Sequence, residues 1–236
     1  MNLAQYKEQK ELRYKKAKET LSELRNPCPK CRKAQNTCYC SLIEPIKTSA
    51  QFVILIHPKE NKNTIGTGRL THLSITNSHL IEGVDYSHDQ RVNQILANTK
   101  NECVVLYPSA DAIDISQSIK PLDDLRQKGK NLVIFVLDGT WYYAKKMLKV
   151  SKNLKKLPRV CFNPPNPSIY KIRRQPGRIC FSTVEAVSFI SSKMGDPGHE
   201  RLIKVFESMI DQQLSYCGVN QRQRAARGVR VKVAES

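Results

Sequence analysis

The feature that most constrains the fold of this chain is a set of short, unbroken apolar runs, each stopped by turn-forming residues. They are "QFVILIHP" from Gln51, "ECVVLYP" from Glu102 and "NLVIFVLDG" from Asn131. A strand with one wet face alternates apolar and polar residues, whereas a strand covered on both faces reads as a continuous Val/Ile/Leu run. Covering both faces is the habit of parallel strands, whose crossover helices lie on the sheet. Segments of helical character separate the runs, among them "GRLTHLSITNSHL" and "DISQSIKPLDDLRQKG". Further on, "RVCFN" and "RICFST" read as shorter strands, and "ERLIKVFESMIDQQL" places apolar residues at 202, 203, 206, 209, 210 and 214, a helical stripe. The pattern predicts an α/β fold, a mostly parallel sheet with helices on both faces.

Upstream of the sheet, Cys28-x2-Cys31-x6-Cys38-x-Cys40 crowds four thiols into 13 residues. A short loop that brings two such pairs around one ion suits Zn²⁺, which favours a tetrahedron of thiolates at about 2.3 Å. An iron–sulfur cluster and unligated thiols are the alternatives. With all four positions filled by the protein, no coordination site stays open for catalysis, so such a metal is structural. Cys103, Cys161 and Cys180 lie in strand-like runs and read as small core hydrophobes.

Lys plus Arg number 39 against 21 Asp plus Glu, a formal net charge of +18. That excess points to a polyanionic partner, nucleic acid being the commonest. The apolar runs are far shorter than the ~20 residues of a membrane-spanning helix. The N-terminus has no apolar segment of a secretory signal, so a cytoplasmic location is expected. No feature marks an obligate protein partner. The chain divides into a basic N-terminal helix (1–25), a zinc-binding element (26–45), the α/β domain (46–217) and a basic mobile tail (218–236).

Ligands of open α/β sheets bind beyond the carboxyl ends of the strands. Here those ends carry the polar and glycine residues: His57-Pro58-Lys59-Glu60, Tyr107-Pro108-Ser109, Asp138-Gly139-Thr140-Trp141 and Ser182-Thr183-Val184-Glu185. Each admits a structural reading. Asp138 can cap a helix starting near Thr140, Trp141 can be core, and Thr67 can cap the helix after Gly66. His57 before a proline reads as a hydrogen-bonded structural histidine, and Ser182-x-x-Glu185 fits a capping box. Gly66-Thr67-Gly68 lacks the third glycine of a dinucleotide fingerprint and lies too far beyond its strand.

Taken together, these blocks resemble the DTW-domain family of tRNA-uridine aminocarboxypropyltransferases, named for an Asp-x-Thr-Trp motif. "DGTW", "CPKC…CYC", "HPKE", "TGRL", "LYP", "LPRV", "SIYKIRR" and "STVEA" stand in the family's order over residues 28–210. Where the family commonly has a small and then an acidic residue after the Tyr-Pro strand end, this chain has Ser109-Ala110-Asp111, so no role is carried over to Asp111.

The resemblance implies a SPOUT-like fold, of a kind that can be knotted, that transfers the aminocarboxypropyl group of S-adenosylmethionine to N3 of a tRNA uridine. It implies that Asp138, with Thr140 and Trp141, forms the catalytic part of the pocket, Asp138 taking or orienting the N3 proton. Leu106, Pro108 and Leu137 would hold adenine and ribose, with Ser182, Thr183 and Glu185 at the wall. Thr67, Gly68 and Arg69 would meet the donor, with Arg69 or Arg173 or Arg174 facing either its carboxylate or RNA phosphates. Lys145, Lys149, Lys152 and Lys156 form one RNA-facing stripe if their helix runs past Ser151. RNA methylation with the same donor, transfer to ribosomal RNA, and a non-catalytic zinc-stabilised RNA-binding module are the alternatives.

Overall fold

The computed structural model describes residues 27–63, 65–127, 129–170 and 180–226, without the side chains of 125–127 and 216–226. The expected helix over 1–25, Arg173, Arg174 and the chain beyond 226 lie outside the described residues. Two compact units are present, residues 1–41 and 42–236.

The larger unit is built on β1 (Gln51–Ile56), β2 (Ser78–Glu82), β3 (Asn101–Leu106), β4 (Ile113–Asp114), β5 (Asn131–Asp138) and β6 (Arg159–Cys161). They form one sheet in the order β2-β1-β5-β3-β6-β4. Every pairing is parallel. The helices are α1 (Pro58–Asn61), α2 (Thr67–Ser74), α3 (Gln90–Ala97), α4 (Lys120–Gln127), α5 (Trp141–Val150), α6 (Thr183–Lys193) and α7 (Glu200–Ala226). The α/β fold with a parallel sheet is therefore as the apolar runs require, and no helix among the described residues is long and apolar enough to cross a membrane.

The three continuous runs became the three central strands because both of their faces are covered. Val53, Leu55, Cys103, Val105, Val133 and Phe135 point to one side, where they cluster with Val92 of α3 and Met147 and Leu148 of α5. Residues of the other parity, such as Phe52, Ile54, Val104 and Ile134, are equally buried. On that side α2, α6 and α7 pack on one another. Each fully buried aliphatic or aromatic side chain contributes about 1.5–3 kcal/mol, so the central strands hold the sheet together.

Four local expectations need correction. The helical reading of "GRLTHLSITNSHL" runs too far: α2 stops at Ser74 and Ser78–Glu82 is the edge strand β2. "RICFST" does not supply a strand among its described residues, because the Ser182 N–H donates to the Glu185 carboxylate (2.8 Å) and is not free for a ladder. Cys161 and Cys180 are only partly buried, so the core reading of the three strand-like cysteines holds for Cys103 alone. The lysine stripe does not follow one helix, since α5 ends at Val150 with Ser151 as its C-cap and Leu154–Lys156 is a separate 3-10 turn.

Candidate active site

The site grows from the end of β5. Asp138 is the last residue of the strand, opposite Ile56 of β1, and its carbonyl accepts from the His57 N–H at 3.0 Å. Its side chain is buried, 6% exposed. The cap of α5 is Thr140 and not Asp138, because the Thr140 hydroxyl accepts from the Tyr143 N–H (3.4 Å). That leaves the Asp138 carboxylate turned inward, where Oδ1 accepts from the Thr183 hydroxyl at the start of α6.

Gly68 lies against the same carboxylate: a Cβ there would stand 2.7 Å from Asp138 Cγ, so only glycine lets α2 come this close. The N-cap of α2 is Gly66, which corrects the reading of Thr67 as a cap. Thr67 is buried one position further on, and its carbonyl accepts from the Thr71 hydroxyl (2.8 Å). Strand β1, strand β5 and the first turns of α2 and α6 thus meet at one buried acid.

Above it opens a cavity of about 800 Å³. Leu106, Tyr107 and Pro108 wall it after β3, and Leu137 through Tyr142 form its floor and one rim. The remaining wall is Cys161 through Pro164 after β6, together with Tyr170, Cys180, Phe181, Ser182 and Thr183. All strand ends involved are carboxyl ends, and α5 and α6 both start at the cavity, so their partly positive N-termini face it. Asp138, Thr140, Trp141, Leu106, Pro108, Leu137, Ser182 and Thr183 are therefore brought together as expected.

Thr67, Gly68, Arg69 and Glu185 do not line the cavity. Arg69 donates to the Asn61 side-chain oxygen, and Asn61 in turn donates to Glu82. Glu185 stands behind the wall as its organiser. Its carboxylate accepts from the Ser182 hydroxyl (2.6 Å), the Ser168 hydroxyl (2.8 Å) and the Ile169 N–H (2.8 Å), besides completing the capping box with the Ser182 N–H. Two separate wall segments, 168–170 and 182–183, are tied to one acid. Asp111, given no role from the sequence, pairs with Arg159 at 3.0 Å.

The sequence reading missed the aromatic lining: Tyr107, Phe162, Phe181, Tyr170 and Tyr142. Tyr107 packs edge-on to Trp141 with ring centroids 6.3 Å apart, and Phe162 stacks on Phe189 at 4.4 Å. Tyr107 and Tyr170 lie inside recognised blocks, and Tyr142 and Phe181 adjoin two others, which was the available signal. Beside the cavity, His57 stacks on Tyr143 at 4.0 Å, and its Nδ1 accepts from the Lys59 N–H at 3.2 Å. Burial and the neighbouring Lys59 and Lys146 lower the His57 pKa against the opposing pull of Glu60.

Within residues 27–41, Cys28, Cys31, Cys38 and Cys40 place all four sulfurs within 4.8 Å of one another. The Cys28–Cys40 and Cys31–Cys38 sulfur separations are 3.8 Å and 3.6 Å. Metal–thiolate bonds of about 2.3 Å in a tetrahedron require sulfur separations of about 3.8 Å, so the four thiols can hold one metal ion. The turn is shaped for it: the Arg32 N–H donates to the Cys28 carbonyl (2.8 Å), and Arg32 takes φ +61°. Backbone N–H groups of Cys31 and Lys30 hold the Cys28 thiol down to about 6, whereas burial pushes the Cys31 and Cys40 thiols up.

The model of the DTW domain matches residues 25–214. A Drosophila melanogaster tRNA-uridine aminocarboxypropyltransferase 2 is 28% identical over 70% of this chain and 64% of its own length. The Mus musculus protein of that name is 24% identical over 83% of this chain and 66% of its own. An Arabidopsis thaliana tRNA-uridine aminocarboxypropyltransferase A is 26% identical over 81% and 82%. The chain thus spans just under two thirds of the animal relatives it matches. No solved structure matches it significantly. With the Asp-Gly-Thr-Trp turn at the floor of the cavity and a match covering most of the chain, the protein belongs to the DTW domain family.

Proposed function

We propose that this protein transfers the 3-amino-3-carboxypropyl group of S-adenosylmethionine to N3 of a uridine in tRNA, leaving methylthioadenosine. The observation that carries the reading is the position of the motif acid: Asp138 is fixed by Thr183 and Gly68 at the floor of a strand-end cavity large enough for a small molecule. Cavities of about 300–1,000 Å³ are the usual range of such sites. The names of the relatives supply the reaction class, and the charge of +18 suits an RNA substrate.

In this reading adenine and ribose lie against Leu106, Pro108 and Leu137, between the aromatic rings of the wall. The sulfonium activates three carbons equally in kind, so the outcome depends on which carbon is presented in line with the nucleophile. The N3 electron pair forms the new bond to the carboxypropyl methylene, and the carbon–sulfur bond breaks with its pair staying on sulfur. The N3 proton passes to Asp138, whose carboxylate Thr183 holds in place. The four-cysteine cluster holds a structural Zn²⁺, and the sheet is a relative of the SPOUT fold.

The test uses purified protein, unmodified tRNA and S-adenosylmethionine, with nucleoside mass spectrometry of the digested tRNA. Asp138→Asn is expected to lower the rate of modified-uridine formation by about 10²–10⁴-fold while leaving donor binding within a few-fold. Full activity in that variant would remove the assigned role.

A further inference from the structure

Helix α5 leaves the cavity floor with one face turned to solvent. Tyr142 lines the cavity mouth yet is 72% exposed, the most exposed large hydrophobic side chain among the described residues. Lys145 and Lys146 follow at i+3 and i+4 and Lys149 at i+7, so all four residues share a face. The three lysines are exposed.

The next element widens this face. Tyr142 meets Tyr143 edge-on with centroids 5.4 Å apart, Tyr143 stacks on His57, and the Lys59 ammonium lies 5.4 Å over the Tyr143 ring. Lys59 and Lys146 both act on the His57 ring, so the α1 turn and helix α5 each contribute a cation to its field. Of the acids beside this turn, Glu60 accepts from the Asn63 side chain (3.3 Å) and Glu82 from the Asn61 side chain.

Its edge-on contact with Tyr143 leaves most of the Tyr142 ring in solvent at the cavity mouth. Among the described residues, no ion pair is formed by Lys59, Lys145, Lys146 or Lys149. A strand of nucleic acid supplies both complements at once, since every base has a π face and every nucleotide a phosphate. Proteins that hold single strands combine these two elements in this order, a stacking ring beside a basic track.

We propose that this face is the docking strip for the single-stranded RNA flanking the modified nucleotide: Tyr142 stacks the adjacent base, and Lys59 and Lys146 carry its phosphates. Lys145 and Lys149 extend the track along α5. The strip explains how a uridine could be held out of its stack while N3 points down to Asp138, because the neighbouring base would keep a partner. It rests on the reading of tRNA as substrate, and it names residues outside the motif blocks except Lys59.

The experiment measures binding of fluorescent, unmodified tRNA by anisotropy across a salt series, with no donor present. Four variants are compared with the parent: Tyr142→Ala, Tyr142→Phe, Lys59→Ala/Lys146→Ala, and Lys100→Ala/Lys130→Ala. The last pair removes the same charge at the opposite end of the sheet. Thermal melts establish that each variant is folded, and donor affinity is measured separately by calorimetry.

Tyr142→Ala is expected to weaken tRNA binding on the order of tenfold, with Tyr142→Phe near the parent. The Lys59/Lys146 pair is expected to flatten the slope of log K against log salt by about 1.4, from roughly 0.7 per single-strand phosphate contact. The distant pair should leave the slope nearly unchanged. Parent-like binding by Tyr142→Ala and by the Lys59/Lys146 pair would overturn the proposal. So would an equal loss from the distant pair, or a loss of donor affinity without a loss of tRNA affinity in Tyr142→Ala. Because the readout is binding, a protein that docks tRNA along this strip but forms no modified uridine would refute the proposed reaction and not the strip. A parent that does not bind tRNA refutes both.

Discussion

At the scale of single residues, the site depends on a few side chains whose surroundings fix their state. His57 is the clearest. It caps α1 with Nδ1 as an acceptor, which requires that nitrogen to be unprotonated. Burial and the cations Lys59 and Lys146 lower its pKa from 6.5, while Glu60 pulls the other way. Between the lowered value and 6.5 the unfolded chain binds the proton and the native state does not, so stability rises with pH there and is lost on acidification below 6.5. His57→Asn keeps a capping acceptor without a titrating group, and it is expected to flatten the fall of the melting temperature on acidification below about pH 6.5. An unchanged pH profile in that variant would show that the fall comes from other groups. The bland reading of this histidine as a hydrogen-bonded structural residue was legible from "HPKE" alone. The stacking on Tyr143 was not, because it joins two strand ends that only the sheet brings together.

Elements were legible in proportion to how far their own residues decide them. The runs behind β1, β3 and β5 are apolar on both faces and could hardly be anything else, whereas β2 pairs only with β1 at the sheet edge and buries only Ser78 and Ile81. Its "SHLIE" carries no two-residue alternation and is held by its neighbour, so a helical pattern running into it was misleading. Ser182 and Glu185 were legible as a capping box, but the same carboxylate also collects Ser168 and Ile169 from a distant segment, which no local pattern announces. The cysteine element is the opposite case: its spacing names the ligands, and the sulfur separations of 3.6 and 3.8 Å fit a tetrahedral ion. One equivalent of zinc per chain is expected by elemental analysis. Cys31→Ser should lose the metal, and amides of residues 27–41 should then exchange with solvent far faster, since metal binding supplies the folding energy of so small an element. Full metal content in that variant would contradict the assignment.

For the molecule as a whole, a parallel sheet gathers its strand ends on one side, and the chain spends its motif residues there. The acid, the hydroxyl that holds it and the glycine that admits it come from three distant parts of the sequence: Asp138, Thr183 and Gly68. What no single-residue reading could reach was the cavity itself, whose aromatic wall comes from segments after β3 and β6 and from the start of α6. In the proposed reaction this cavity directs the aminocarboxypropyl chain, and not the methyl group, of the donor to RNA. The most direct measurement supplies the purified protein and unmodified tRNA with two donor samples, one labelled in the carboxypropyl carbons and one in the methyl group. The account predicts that the first label enters tRNA and the second leaves as methylthioadenosine. Methyl label in the tRNA, with S-adenosylhomocysteine as the by-product, would contradict it.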